Sequence, residues 1–159
     1  MNAGTYIVIV RETDVDSDKE WYCLGTRLQP NGERTCCVSK FNPATDTGDN
    51  TWLVAPVPGA DNYSGFFMQH QQSSLVACFG NSVIHVKKFQ AANVEFLLRL
   101  DHVGNGWVAI NNHSADLVMD AKTDTEPFLG NDVYPASWHS GVNQEWRFIN
   151  TALFTGIPL

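Results

Sequence analysis

The chain has 159 residues, the size of one ordinary domain. A domain of this length buries roughly 68–70% of the surface its unfolded chain exposes, so it needs no disulfide or metal staple. Its 43% hydrophobic, 17% charged and 11% aromatic residues depart from an average soluble domain, where charged residues are ~25%, and exclude a disordered chain or a long exposed helix. The net charge of −7 argues against neutralising nucleic-acid phosphates or adhering to an anionic membrane. The expected partner is uncharged.

The chain opens Met1-Asn2-Ala3-Gly4-Thr5 with no basic run. No apolar stretch approaches the ~18 residues of a membrane span, so neither signal peptide nor membrane insertion is expected, and a cytoplasmic setting is. The first predicted strand is Tyr6–Val10, alternating with period two, and a second lies near Tyr22-Cys23-Leu24-Gly25. Further runs follow at Phe66–Met68, Leu75–Cys78, Trp107–Ile110 and Leu117–Asp120, separated by Gly, Asn, Pro and Asp clusters. That spacing is an all-β pattern. The four cysteines include the adjacent pair Cys36-Cys37, and without a secretion signal they are expected to be reduced.

A repeat emerges by direct comparison. Phe79–Leu98 aligns without a gap on Leu129–Phe148, matching Gly80 to Gly130, Asn81 to Asn131, Val83 to Val133, Asn93 to Asn143, Glu95 to Glu145 and Phe96 to Trp146. A more diverged copy sets Val38 before Trp52 at nearly the same spacing, with Asp49 in the place of Asn93 and Asn143. Three units, approximately 1–62, 63–103 and 104–159, are therefore predicted, each of about four short strands. One such unit cannot bury its apolar face alone, so the three are expected to close into a single threefold barrel. Trp52, Phe96 and Trp146 are the predicted equivalent core anchors.

Asn143-Gln144-Glu145-Trp146 is an instance of Q-x-W, and inside a threefold repeat it resembles the ricin B-type β-trefoil lectins. The segment Trp138–Phe148 is similar to the short fungal fruiting-body members, as is the opening Gly-Thr-Tyr-Ile-Val-Ile. The resemblance implies an all-β, β-trefoil domain with no cofactor and no enzymatic activity. It also implies binding of terminal galactose- or N-acetylgalactosamine-type glycans, and a role in defence.

A neutral saccharide is held by a carboxylate accepting from hydroxyls, an amide that donates and accepts, and a ring against its apolar C–H face. The third unit offers all three. Asp120 stands in the place of the family's hydroxyl-accepting acid and Asn143 in that of its amide partner. Trp138 and His139 lie in the segment that supplies the stacking or hydroxyl-contacting side chain, with Tyr134 beside them. Gln144 is expected mainly as a structural hydrogen-bonding residue and Trp146 as core. Asp120, Asn143 and Trp138 or His139 are expected to line one shallow exposed pocket. In the second unit Cys78 takes the Asp120 position, Val94 replaces Gln144, and Phe89 aligns with His139. The first unit offers no acid, and Asn50 stands where Gln is wanted. A single site gains from company, so a homodimer would restore avidity.

Asp14–Asp18 begins like a calcium loop, but Lys19 and Gly25 replace the required Gly and Glu. No metal-ligand spacing, nucleophile elbow or P-loop is present. A second function class shares the resemblance: a trefoil inhibitor of cysteine or serine proteases, acting through a loop such as Asn31–Asp49 or Val57–Ser64, and sharing the Trp146-Arg147-Phe148 segment. A bare interaction scaffold is the third, and it would leave Asp120 buried or salt-bridged.

Overall fold

The computed structural model describes residues 2–11, 21–41, 50–57, 64–123 and 128–153. The calcium-like segment, residues 42–49 and 58–63 of the two loops considered for protease inhibition, and residues 154–159 of the apolar stretch Leu153–Leu159 lie outside them.

Among the described residues, twelve strands form three sets of four. The first set is β1 (Gly4–Val10), β2 (Trp21–Leu28), β3 (Arg34–Phe41) and β4 (Thr51–Pro56). The second is β5 (Ser64–His70), β6 (Val76–Phe79), β7 (Ile84–Lys87) and β8 (Leu98–Gly104). The third is β9 (Trp107–Asn112), β10 (Val118–Ala121), β11 (Val133–Ala136) and β12 (Trp146–Asn150). Antiparallel pairing runs β1–β4–β5–β8–β9–β12 and returns to β1, a closed six-stranded barrel. Closure removes the exposed edges an open sheet would leave. The hairpins β2–β3, β6–β7 and β10–β11 cap one end, where β3 meets β7 and Cys37 bridges to Asp132.

Alternation in the sequence explains which way each strand faces. In β1, Tyr6, Val8 and Val10 enter the main core, while Ile7 and Ile9 point outward into a small cluster with Cys23 and Phe41. In β10, Met119 and Ala121 face the core, so Val118 and Asp120 face out. Trp52 and Trp146 are fully buried, and each donates its indole N–H to the backbone of its own unit, at Leu24 O (2.8 Å) and Met119 O (3.0 Å). These bonds satisfy the one polar atom that burying tryptophan would strand.

The ladders correct the expected anchor of the second unit. Trp52 lies opposite His70, and Trp146 opposite Val10; the corresponding partner of Asn112 is Leu98. Phe96 instead ends the 3-10 turn Val94–Phe96, which corresponds to the turn Val142–Gln144 and puts Phe96 in the place of Gln144. The gap-free alignment paired two aromatics, but counted from the aligned Gly80 and Gly130 the second unit carries one extra residue before β7 and another before its 3-10 turn. Ile84, not Val83, thus corresponds to Val133, since each pairs with the last residue of the strand before it, Phe79 and Ala121. Following the same ladders, Phe89 corresponds to Trp138, not to His139.

Candidate functional site

Asp120 sits outward on β10 yet has no exposed surface. Three side chains of the following segment close over it. Asn143 donates its amide N–H to Oδ1 at 2.6 Å, Gln144 donates to Oδ2 at 2.8 Å, and the His139 Nε2 lies 3.0 Å from Oδ2. Gln144 is itself fully buried; its amide also donates to Ser137 O, and its carbonyl accepts from the His139 backbone N–H. Asn143 donates further to Ala121 O. A buried carboxylate carries a large desolvation cost unless such donors surround it. The 3-10 turn at Val142–Gln144 points Asn143 and Gln144 back at β10 from only one residue apart.

The structure thus brings Asp120, His139, Asn143 and Gln144 together as one cluster. Its outer face is open: the His139 side chain is 54% exposed and Asn143 half-buried. Tyr134 lies directly across the β10–β11 ladder from Asp120 and is half-buried. Trp138 is 42% exposed, but it leans to the other side, over a cleft that the sequence did not predict. The shallow pocket expected to include Asp120 is therefore not formed: the carboxylate is the floor beneath His139 and Asn143, and no solvent touches it.

The cleft beneath Trp138 measures about 470 Å³ and lies between the second and third units. Val118 and Ala109 supply its apolar surface; Arg99, Asp101 and Asn111 supply polar groups from β8 and β9. The Arg99 guanidinium is clamped by both Asp101 oxygens, at 3.0 and 2.9 Å, and that pairing raises its pKa. His102 and Asp116 complete the rim. No spacing motif marks this cleft, because its walls come from three strands that only the barrel brings together. Among the described residues, no cluster of three or more His, Cys, Asp or Glu side chains could hold a metal ion.

The same position differs in the other units. In the first, Gly25 takes the place of Asp120, and Asn50, at the Gln144 place, covers it. In the second, Cys78 replaces Asp120 and its thiol faces the Glu95 carboxylate at 3.7 Å.

No family model matches the chain, and no curated protein matches it. Solved structures do. A designed protein with threefold symmetry, ThreeFoil, superposes with a TM-score of 0.69 at 15% identity, over 92% of this chain and 99% of that one. The Polyporus squamosus lectin bound to a Neu5Ac-Gal-GlcNAc epitope gives 0.68 at 14% identity, over 94% of this chain and 50% of its own. The Macrolepiota procera ricin B-like lectin in complex with lactose gives 0.67 at 11% identity, over 94% and 98%. At these identities the likeness is one of fold, and the chain is a β-trefoil of the kind seen in ricin B-type lectins.

Proposed function

We propose that this chain is a non-enzymatic, glycan-binding β-trefoil with its site on the third unit, directed at terminal galactose- or N-acetylgalactosamine-type sugars. The observation that carries the reading is the outer face of the Asp120 cluster. A half-exposed imidazole and a half-buried amide are held there by a buried carboxylate, beside an indole that is 42% exposed. That set offers hydroxyl-binding groups fixed in advance, which lowers the entropy lost on binding, with an apolar ring on the adjoining residue. The lactose complex of the Macrolepiota procera lectin supports the sugar class by analogy of fold. Asp120 acts here as a positioning residue, setting His139 and Asn143, which touch the ligand together with Trp138.

The full burial of Asp120 favours a second reading, a scaffold without a ligand site, so the test must separate the two. On a glycan array the wild-type chain is expected to retain galactose-terminated glycans, and Trp138→Ala, at an exposed position, to lose most of the signal while keeping its melting temperature. An array blank for the folded wild-type chain sinks the lectin reading and leaves the scaffold.

A further inference from the structure

The cleft beneath Trp138 has a counterpart that reveals what it is shaped for. On the boundary between the first and second units lies a groove of about 230 Å³, lined by Leu53, Ala55, Phe67, Gln69, Val76 and Phe89. The ladders place these six residues at the positions of Arg99, Asp101, Ala109, Asn111, Val118 and Trp138 in turn. Leu53 pairs with Gln69 as Arg99 pairs with Asn111, and Ala55 with Phe67 as Asp101 with Ala109. Gln69 pairs with Val76 as Asn111 with Val118.

One fold position is thus apolar and half-filled in one copy, polar and open in another. The decisive exchange is Phe67 for Ala109: the phenyl ring packs on Phe89 at 4.6 Å between centroids, and where Ala109 stands that volume is empty. In the first unit the corresponding Ile7 is buried with Cys23 and Phe41. Of these positions, among the described residues, the cleft at Ala109 is the one that joins an exposed indole and an apolar floor to fixed donors and acceptors.

We infer that this cleft is a second subsite that holds the further sugars of an uncharged oligosaccharide whose terminal sugar sits at the Asp120 cluster; the inference rests on the glycan-binding reading above. Two features set the ligand class. Val118 and Asp120 share the outward face of β10 two residues apart, roughly 7 Å along the strand, and Trp138 of the cleft directly precedes His139 of the cluster in the chain, so one chain of linked sugars can reach both. The rim carries two carboxylates, Asp101 and Asp116, against one guanidinium that Asp101 already engages. That balance repels a sulfate or carboxylate on the ligand, while the Trp138 ring and the Asn111 amide suit neutral pyranose rings.

The test compares lactose, the neutral tetrasaccharide lacto-N-neotetraose, and the same tetrasaccharide sulfated on its inner N-acetylglucosamine, by titration calorimetry on the intact chain. The wild type is expected to bind the neutral tetrasaccharide about tenfold tighter than lactose, and the sulfated one several-fold more weakly than the neutral. Ala109→Phe, which copies the second unit, should remove the tetrasaccharide's advantage over lactose. Asp116→Lys, at an exposed position, should reverse the discrimination against sulfate whether or not Ala109→Phe folds. Equal wild-type affinity for lactose and the tetrasaccharide, or a full preference retained in folded Ala109→Phe, overturns the subsite and leaves the lectin reading intact. Absence of wild-type binding to every glycan overturns that reading, and the subsite with it.

Discussion

A methyl group on Gly141 would strike the His139 ring and the Asn143 side-chain oxygen, the two members of the cluster that face solvent. The φ of Gly141 is −75°, which any residue adopts, so glycine serves here for its lack of a Cβ. Gly141→Ala is therefore expected to part His139 from Asp120 and to destabilise the fold by about 1–3 kcal/mol, as overpacking does. Urea denaturation measures that loss, and the His139 ring resonances in NMR should shift with it; an unchanged midpoint and spectrum would show that the turn relaxes freely. At this scale the sequence was informative wherever chemistry and spacing coincide. Asp120, Asn143, Gln144 and His139 follow from one motif laid on a repeat, and the structure brings them within hydrogen-bonding distance. Arg99, Asp101 and Asn111 carried no such signal, since they reach Trp138 only through strand pairing across a unit boundary.

Comparing elements explains why only one unit keeps the constellation. In the first unit a Cβ on Gly25 would lie 2.5 Å from Ser39 Cβ and 2.7 Å from the Asn50 side-chain oxygen. The acid there is missing, and its space has been filled from the neighbouring strand. Gly25→Asp should accordingly fail to create a second site: calorimetry should still find one glycan per chain, and the denaturation midpoint should fall, by an amount near the 1–3 kcal/mol of an overpacked core. A stoichiometry of two would show that Asn50 and Ser39 move aside. The same comparison shows where reading the repeat from letters went astray. Apolar runs located β1, β2, β5, β6, β9 and β10, because burial on one face imposes a period of two. The anchor of the second unit was misplaced because Phe96 looks like a tryptophan substitute, whereas the barrel uses Leu98 there and leaves Phe96 in a satellite cluster with Val76 and Cys78. Letters show which residues are alike; pairing shows which residues occupy one place.

Closure of the barrel joins β1 to β12, the two ends of the described chain, so no unit can complete its core until the others are in place. The main cluster draws on all three units at once, from Val8 through Met68 to Trp146. Unfolding should accordingly be a single cooperative event, and the cysteines supply a probe of it. All four are buried, two of them on the capping strand β3. Burial pushes the thiols of Cys36 and Cys37 above their ordinary range, and burial followed by the Glu95 carboxylate pushes Cys78 up to about 11. The reactive species is the thiolate, so in the folded chain these groups are protected by both access and charge. At pH 8 a disulfide reagent is expected to modify all four in one slow phase whose rate equals that of global unfolding followed by fluorescence. A faster phase at one or two thiols would mean that the hairpin cap opens while the barrel stays shut. The raised Cys78 pKa also sets a direction with pH. Its contribution to stability is complete below about 8.5, where the unfolded thiol stays protonated. It is lost as pH rises toward 11, because the unfolded chain then releases a proton that the folded one keeps. Cys78→Ser should flatten this alkaline slope in urea titrations at pH 8 to 10.5, while leaving the one-phase modification of the remaining three thiols in place.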